Sequence, residues 1–399
     1  MAIRGIFTAH SGIQGDRVGD FASNVLMHMP QGTAPFLGLT SGMQVAPVAD
    51  TSFSWLEDEH INGVGAASAQ TLAAATTIPV AGTSLWVPNT ILLNADTGER
   101  ILISAISGNN LTVIRGIAGT TAATIETTHK LHNIGTAFGE GSGKPVAISQ
   151  RGESRTNNVQ IFKNGWAVTG TANAIGYQTG SQLASNKRQC AAYHAEDIEK
   201  SFLWGKKGHM TLNQQAVFLS DGVIEQIESY GGLIEDSSYG GNAGEQSMQG
   251  VFSFMRRIFD TNVKGAMNER VAMTSSLTLE RINSMARMDS TYSLKEVDEK
   301  DSWGLSICKI EGLNGSLKIM THPLFSSIGY HKLLVTHPQF IRKRELRKTV
   351  NQEFNAAGNT NNGVDAVEGF LLSHMGIEVG AARTMGILGE INTAVKSFA

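Results

Sequence analysis

The sequence predicts an α+β chain built from more than one structural unit. Three observations lead there. Short apolar runs divided by turn residues fill Thr76 to Phe138, a helical stripe runs from Leu183 to Trp204, and helix and strand patterns alternate from Met248 onward. At 399 residues the chain also exceeds what one hydrophobic core usually serves.

Residues 1–50 are rich in Gly, Ser, Thr and Pro around isolated apolar anchors at Phe21, Val25, Leu26, Phe36 and Leu37. Such a segment has too little apolar area to fold alone. Its anchors predict an arm that gains order by lying across a neighbouring subunit.

Between Thr76 and Phe138 the runs TTIPV, SLWV, NTILLN, GERILISAI and LTVIRG read as strands. Asp96-Thr97-Gly98 and Gly108-Asn109-Asn110 bound the ERILISAI run with hairpin turns. A small antiparallel β-module follows. Two alternating runs flank it, TSFSWLED before and NNVQIFKNGWAVTG after, carrying Phe53, Trp55, Phe162 and Trp166 for cross-strand packing. These flanks are expected to pair as one long hairpin interrupted by the module.

From Leu183 to Trp204 the period is helical, with Ala184, Ala191, Ala195, Ile198 and Phe202 on one stripe. Glu196 and Lys200 form an i,i+4 pair, and Gly205 followed by Lys206 and Lys207 marks the stop. The glycine-laden stretch Tyr230 to Gln246 is a long loop or boundary. Beyond it come a helix at Met248–Phe259, a strand at Arg270–Thr274, a helix at Leu277–Met288, and strands near STYSLKEV, GLSICKI, SLKIMTH and KLLVTH. That is a mixed unit around a sheet. Gln339 to Ala399, with its basic run IRKRELRK, is expected to return strands to an earlier domain.

Composition narrows the function. Charged residues make up only 17% and hydrophobic ones 41%, so part of the surface is expected to be covered by partners. Forty-four Gly against 8 Pro favours turns and extended segments over stiff linkers. A net charge of -3 excludes binding to nucleic acid mainly through phosphates, so any DNA contact is local. Cys190 and Cys308 lack CxxC spacing, and no apolar run is long enough for export or membrane insertion.

Catalytic motifs fail on their own chemistry. GEGSGK at Gly139 to Lys144 has Phe138 and Pro145 where a phosphate loop needs Gly and Ser or Thr. GxSxG and HEXXH are absent. His129 and His132 lie in the β-rich module without an evident third ligand, and within the acidic run only Glu57 and Glu59 share a strand face. Arg342, Lys343, Arg344, Arg347 and Lys348 form the strongest basic feature, read as making salt bridges across subunits with acidic segments 57–59 or 296–301. A β-rich enzyme or carbohydrate-binding module carrying residues 76–138 is the rival of another class. It lacks any convergent catalytic set.

The order of segments resembles the Hong Kong 97-like fold of tailed-phage major capsid proteins: N-arm, E-loop, spine helix, A-domain and return to the P-domain. The resemblance is closest to a podophage-type branch whose E-loop carries an inserted β-module. Its motifs stand here as Thr33, Pro35, Phe36 and Leu37; as Phe53, Trp55, Leu56 and Glu57; as Thr97, Gly98 and Glu99; and as the string LTVIRGIAGTTA from Leu111 to Ala122. The predicted spine helix departs from the branch, being poorer in acidic and aliphatic residues.

The resemblance implies an N-arm at 1–50, an E-loop region at 51–170 with its module at 76–138, a P-domain at 171–230 and 339–399 with a spine helix at 183–204, and an A-domain at 231–338. It implies a virion shell protein, assembled in the host cytoplasm through pentamers and hexamers around the phage genome, with no catalysis, cofactor or metal; some capsids of this fold crosslink through Lys and Asn, but no motif here carries those roles over and no crosslinking is expected. The alternative is a cellular, encapsulin-like nanocompartment shell. Implied partners are the chain itself, scaffold, portal and decoration proteins, and packaged double-stranded DNA on the inner face; no membrane is implied. Candidate subunit-interface residues are Phe36, Leu37, Trp55, Glu57, Glu59, Phe162, Trp166, Arg342, Arg344 and Arg347.

Overall fold

The computed structural model describes residues 36, 45–58, 63–83, 86–149, 151–175, 180–235, 248–263, 265–288, 295–296, 307–312, 314–354 and 365–389. The strands begin with β1 (Val45–Pro47) and β2 (Ser52–Glu57), then β3 (Val64–Ala66), β4 (Thr77–Pro79), β5 (Thr90–Asn94), β6 (Arg100–Ser107), β7 (Asn110–Ile114) and β8 (Lys130–Thr136). Next come β9 (Glu153–Asn158), β10 (Gln160–Thr169), β11 (Gly208–Leu212), β12 (Gln215–Leu219), β13 (Leu233–Glu235), β14 (Glu269–Thr274) and β15 (Lys295–Glu296). The remainder are β16 (Ile307–Gly312), β17 (Gly315–Thr321), β18 (Leu333–Thr336), β19 (Ile341–Phe354), β20 (Ala366–Val379) and β21 (Gly386–Leu388). Contacts divide the chain into residues 56–155 and the remainder.

The smaller unit is one antiparallel sheet in the order β3-β8-β5-β6-β7-β4. The alternation in β5 and β7 puts Leu92, Leu111 and Val113 inward, where they meet Ile78, Trp86, Ile101, Ile103, Ile125 and Leu131 in a closed core. Gly98 and Gly108, at φ 72° and 55°, supply the left-handed turns that the sequence marked. Gly116 is more constrained: at φ 64°, an added Cβ would lie 2.8 Å from the Thr120 carbonyl oxygen. The sheet opens earlier than the predicted module because β3 pairs with β8.

In the larger unit, a four-stranded sheet runs β1-β19-β20-β10 and is covered on one face by the long helix Gln182–Trp204. Ser181 caps this helix by accepting from the Ala184 amide, and Glu196 pairs with Lys200 at 2.7 Å as expected. Gly205 ends it because two segments of the chain meet there. A Cβ would lie 2.5 Å from the carbonyl oxygens of both Ser201 and Ser220. The buried stripe differs from the predicted one, with Cys190, His194, Ile198, Glu199, Phe202 and Leu203 facing inward while Ala184 and Ala191 are exposed. Hydropathy alone misplaced it, because two of the inward positions are polar side chains with dedicated partners.

The remaining sheet has seven strands, β13-β21-β18-β14-β17-β16-β15. The helices Met248–Asp260 and Ser276–Met288 bury Phe254, Ile258, Ile282 and Met285 against Ala272, Leu317, Ile319 and Val335. β11 and β12 form a separate two-stranded ribbon.

Two expectations change. β2 pairs with β9, whereas the Gln160–Thr169 run joins β20 along its whole length, so Phe162 and Trp166 do not face Phe53 and Trp55 across one hairpin. The apolar alternation of the second flank suited either partner, and β20 offers ten consecutive pairings. The closing segment also feeds two sheets, since β21 lies between β13 and β18 in the seven-stranded one.

Candidate functional site: the assembly surfaces

The long helix is keyed to its sheet by polar contacts. Thr349 Oγ1 and Ser373 Oγ are 2.7 Å apart, Ser373 Oγ and His194 Nε2 2.7 Å, and His194 Nδ1 and Asn164 Oδ1 2.6 Å. Asn164 in turn donates to Asp197 Oδ2 at 2.7 Å. Burial holds the His194 ring below the usual histidine range, and the Asp197 charge only partly opposes this. A serine beside a histidine here is a structural tie, because Ser373 is wholly buried in mid-strand and offers no substrate access.

One helical turn on, Glu199 is fully buried and lies 2.6 Å from His322 Nε2; its Oε1 also accepts the Phe36 backbone amide at 3.0 Å. The Phe36 ring has no exposure and packs with Ile198, Phe202 and Met375 in the largest core. Phe36 is therefore an anchor within its own chain. Phe162 and Trp166, 6% and 4% exposed, are buried in the same way, since the helix lies over their side of the sheet. Trp166 donates from Nε1 to Asn351 Oδ1 at 3.1 Å, beneath the Lys187 ammonium 4.6 Å from its ring.

Arg342 and Arg344 have an acidic partner within their own chain. Both reach Glu378 on β20, which lies directly across from Arg342 and diagonally from Arg344, and Arg344 also stacks over Phe53 at 5.5 Å. Sequence reading missed this because Glu378 is brought beside them only by the β19–β20 pairing. Arg347 differs: it is exposed and opposite His374. Trp55 is half-buried, stacked on Phe53 and edge-on to Tyr230 at 6.0 Å, and Glu57 is half-buried at the end of β2. Leu37 and Glu59 lie outside the described residues.

Away from the helix, the sheet presents a mixed apolar and basic face that no motif announced. Ile161, Val350 and Phe354 are 54%, 46% and 49% exposed there. Phe370 lies between Phe354 at 5.6 Å and the Lys163 ammonium at 5.7 Å. Burial, then the charges of Arg347 and Lys163, hold His374 below its ordinary pKa.

Nothing in this geometry assembles a reaction centre. GEGSGK lies in turn and irregular chain with no helix after it, so the amide cradle of a phosphate loop cannot form. No group of three metal-ligating side chains occurs among the described residues. A buried carboxylate with dedicated partners is structural: Glu99, fully buried, receives Arg115 Nε and Nη2 at 2.7 Å each and the amides of Gly116 and Ala123 at 3.2 Å. Burial opposes the Glu99 charge, and these hydrogen bonds with the Arg115 charge outweigh it, holding the carboxyl below its usual range.

A family model described as SU10 major capsid protein matches residues 6–392. The chain belongs to the SU10 major capsid protein family. A major capsid protein of Pseudomonas phage PaMx41 is 28% identical over 327 residues, spanning 82% of this chain and 77% of the relative. A solved chain from Mycobacterium phage Bobi, 8% identical, superposes with a TM-score of 0.50 over 97% of this chain and 99% of its own, which shows a common α+β fold. A chain of the cyanophage Pam1 capsid asymmetric unit has a TM-score of 0.48 at 10% identity, over 98% of this chain and 100% of that one. As a member of this capsid family the chain is a shell-forming subunit of a phage virion and not an enzyme, and the family favours the phage shell over the nanocompartment alternative.

Proposed function

We propose that this capsid subunit closes the shell as pentamers and hexamers, with the segment before β1 as an arm, residues 56–155 as the inserted E-loop module, the four-stranded sheet and long helix as a P-domain, and the seven-stranded sheet as an A-domain. The observation that carries this reading is the asymmetry of the four-stranded sheet. One face is sealed by the helix through Ser373, His194 and Asn164, while the other leaves Ile161, Val350 and Phe354 open beside Lys163 and Arg347. An apolar surface left bare beside charged side chains is what association between subunits covers. Arg347 with Lys348 would meet an acidic segment of a neighbour. DNA on the inner surface, portal, scaffold and decoration proteins complete the partners in this reading.

Electron microscopy of particles from the expressed chain tests it. Because Phe36 belongs to the subunit's own core, the arm deletion must stop short of it. Removing residues 1–30 should abolish particles while circular dichroism stays unchanged. Normal shells from that truncation would refute the arm's role, and a wild-type chain that never forms particles, with or without a candidate scaffold, would refute the architecture.

A further inference from the structure

We infer that the β11–β12 hairpin is a knob that docks into the groove between the Met248–Asp260 helix and the β16–β17 hairpin of a second copy of this chain. The inference rests on the ring-forming subunit just proposed.

The knob is built rigid at its root and bare at its tip. At the root, Asn158 donates to the carbonyls of Gly208 and Leu219 at 3.5 and 3.3 Å, and the Lys207 amide donates to Asp221. Register places Gly208, Met210 and Leu212 on one face with Leu219, Val217 and Gln215 opposite them. That face is apolar, yet Met210 is 48% and Leu212 59% exposed. The turn residues Asn213 and Gln214 take φ of 49° and 61°, the paired left-handed geometry of a tight hairpin adopted here without glycine. From Gly208 to Leu219 no residue is Asp, Glu, Lys or Arg. Neither strand pairs with a third among the described residues. An exposed, uncharged, apolar hairpin with open edges is an aggregation hazard unless it is covered, and it lacks the charges that usually guard such edges.

The groove offers an apolar patch among polar side chains. It holds about 760 Å³ and is lined by Phe252, Met255 and Phe259 together with Gln249, Arg256 and Glu311. Among the described residues, Gly315 faces the Phe259 ring so closely that an added Cβ would lie 2.5 Å from it. A knob and a different groove on the same chain make a heterologous contact, which repeats head to tail and closes into rings; an isologous patch would stop at a dimer. The second copy is therefore the occupant. A rigid knob also loses little entropy on docking.

Crosslinking in assembled particles tests this. In the L212C/Q249C double variant, a short bis-maleimide should give a ladder of chains ending at a closed ring, with only background from either single variant or from wild type. L212D should lower particle yield at least about tenfold with an unchanged melting midpoint, because the side chain is exposed in the free subunit. Particles that form but yield no ladder, or full yield from L212D, would overturn the docking while leaving the shell architecture standing.

Discussion

The Glu99–Arg115 pair allows a quantitative test of what stabilises the smaller unit. In the Glu99→Gln variant the amide cannot reproduce a carboxylate that accepts four hydrogen bonds, two of them at 2.7 Å from one guanidinium. Arg115 is 7% exposed and Glu99 0%, so the remaining charge stays in a site that water scarcely reaches. Breaking a buried pair from one side costs about 3–5 kcal/mol. A unit of this size is stable by about 5–15 kcal/mol in total, so the loss is a large fraction. Replacing both partners by apolar residues, E99M/R115L, should recover much of it. Recovery stays incomplete, because Arg115 also serves the carbonyls of Leu72, Ala75 and Ala123. Hydrogen exchange of amides in residues 100–125, followed through denaturant in the full chain, reads the local stability directly. The sign with pH is fixed as well. A carboxyl held below its unfolded value of 4.5 contributes stability above that pH and loses it as pH falls through the folded value, and E99Q should lack that loss. A penalty under about 1 kcal/mol for E99Q would refute the reasoning.

His337 carries a second pH dependence. Burial, then the neighbouring Arg270 charge, push its pKa from 6.5 down to about 4, so its contribution is present above pH 6.5 and lost as pH falls toward 4. The loss is about 2–3 kcal/mol, and denaturant melts from pH 7 to 4 should show a shallower decline for His337→Gln. Glu378→Gln leaves Arg344 without its charge partner and should cost about 1–3 kcal/mol in the same assay; no change would mean the pair is dispensable. Phe202→Ala should cost about 3–5 kcal/mol by calorimetry, since the ring is fully buried in the largest core. Arg347→Glu should leave the unfolding free energy within about 0.5 kcal/mol of wild type while lowering particle yield.

Elements whose signal is local were readable from the residues. The long helix, the hairpins of the small module and the helix–strand alternation after Met248 each carry a period and a stop within a few residues of one another. Partnerships formed at a distance were not. Nothing beside Arg342 and Arg344 points to Glu378, and nothing beside Phe36 points to Glu199, because each pairing depends on strands or helices that meet only in the folded chain. His194 and Glu199 were absent from the predicted stripe for a related reason: polar side chains carry no apolar signal, yet each has a partner inside. The LTVIRG string marked the module through its family resemblance, while the role of its arginine became apparent only with Glu99 beside it. The assembly surface was least legible, since bare apolar residues such as Leu212 have an ordinary sequence context and stand out only once their exposure is known.

Strand order in the two large sheets sets a timetable for synthesis. β20 lies inside one sheet, between β10 and β19, and β21 lies inside the other, between β13 and β18. A growing chain on the ribosome therefore holds two open sheets until residues 366–388 have emerged. Neighbouring nascent chains on one messenger cannot present finished surfaces to each other until those two strands are in place.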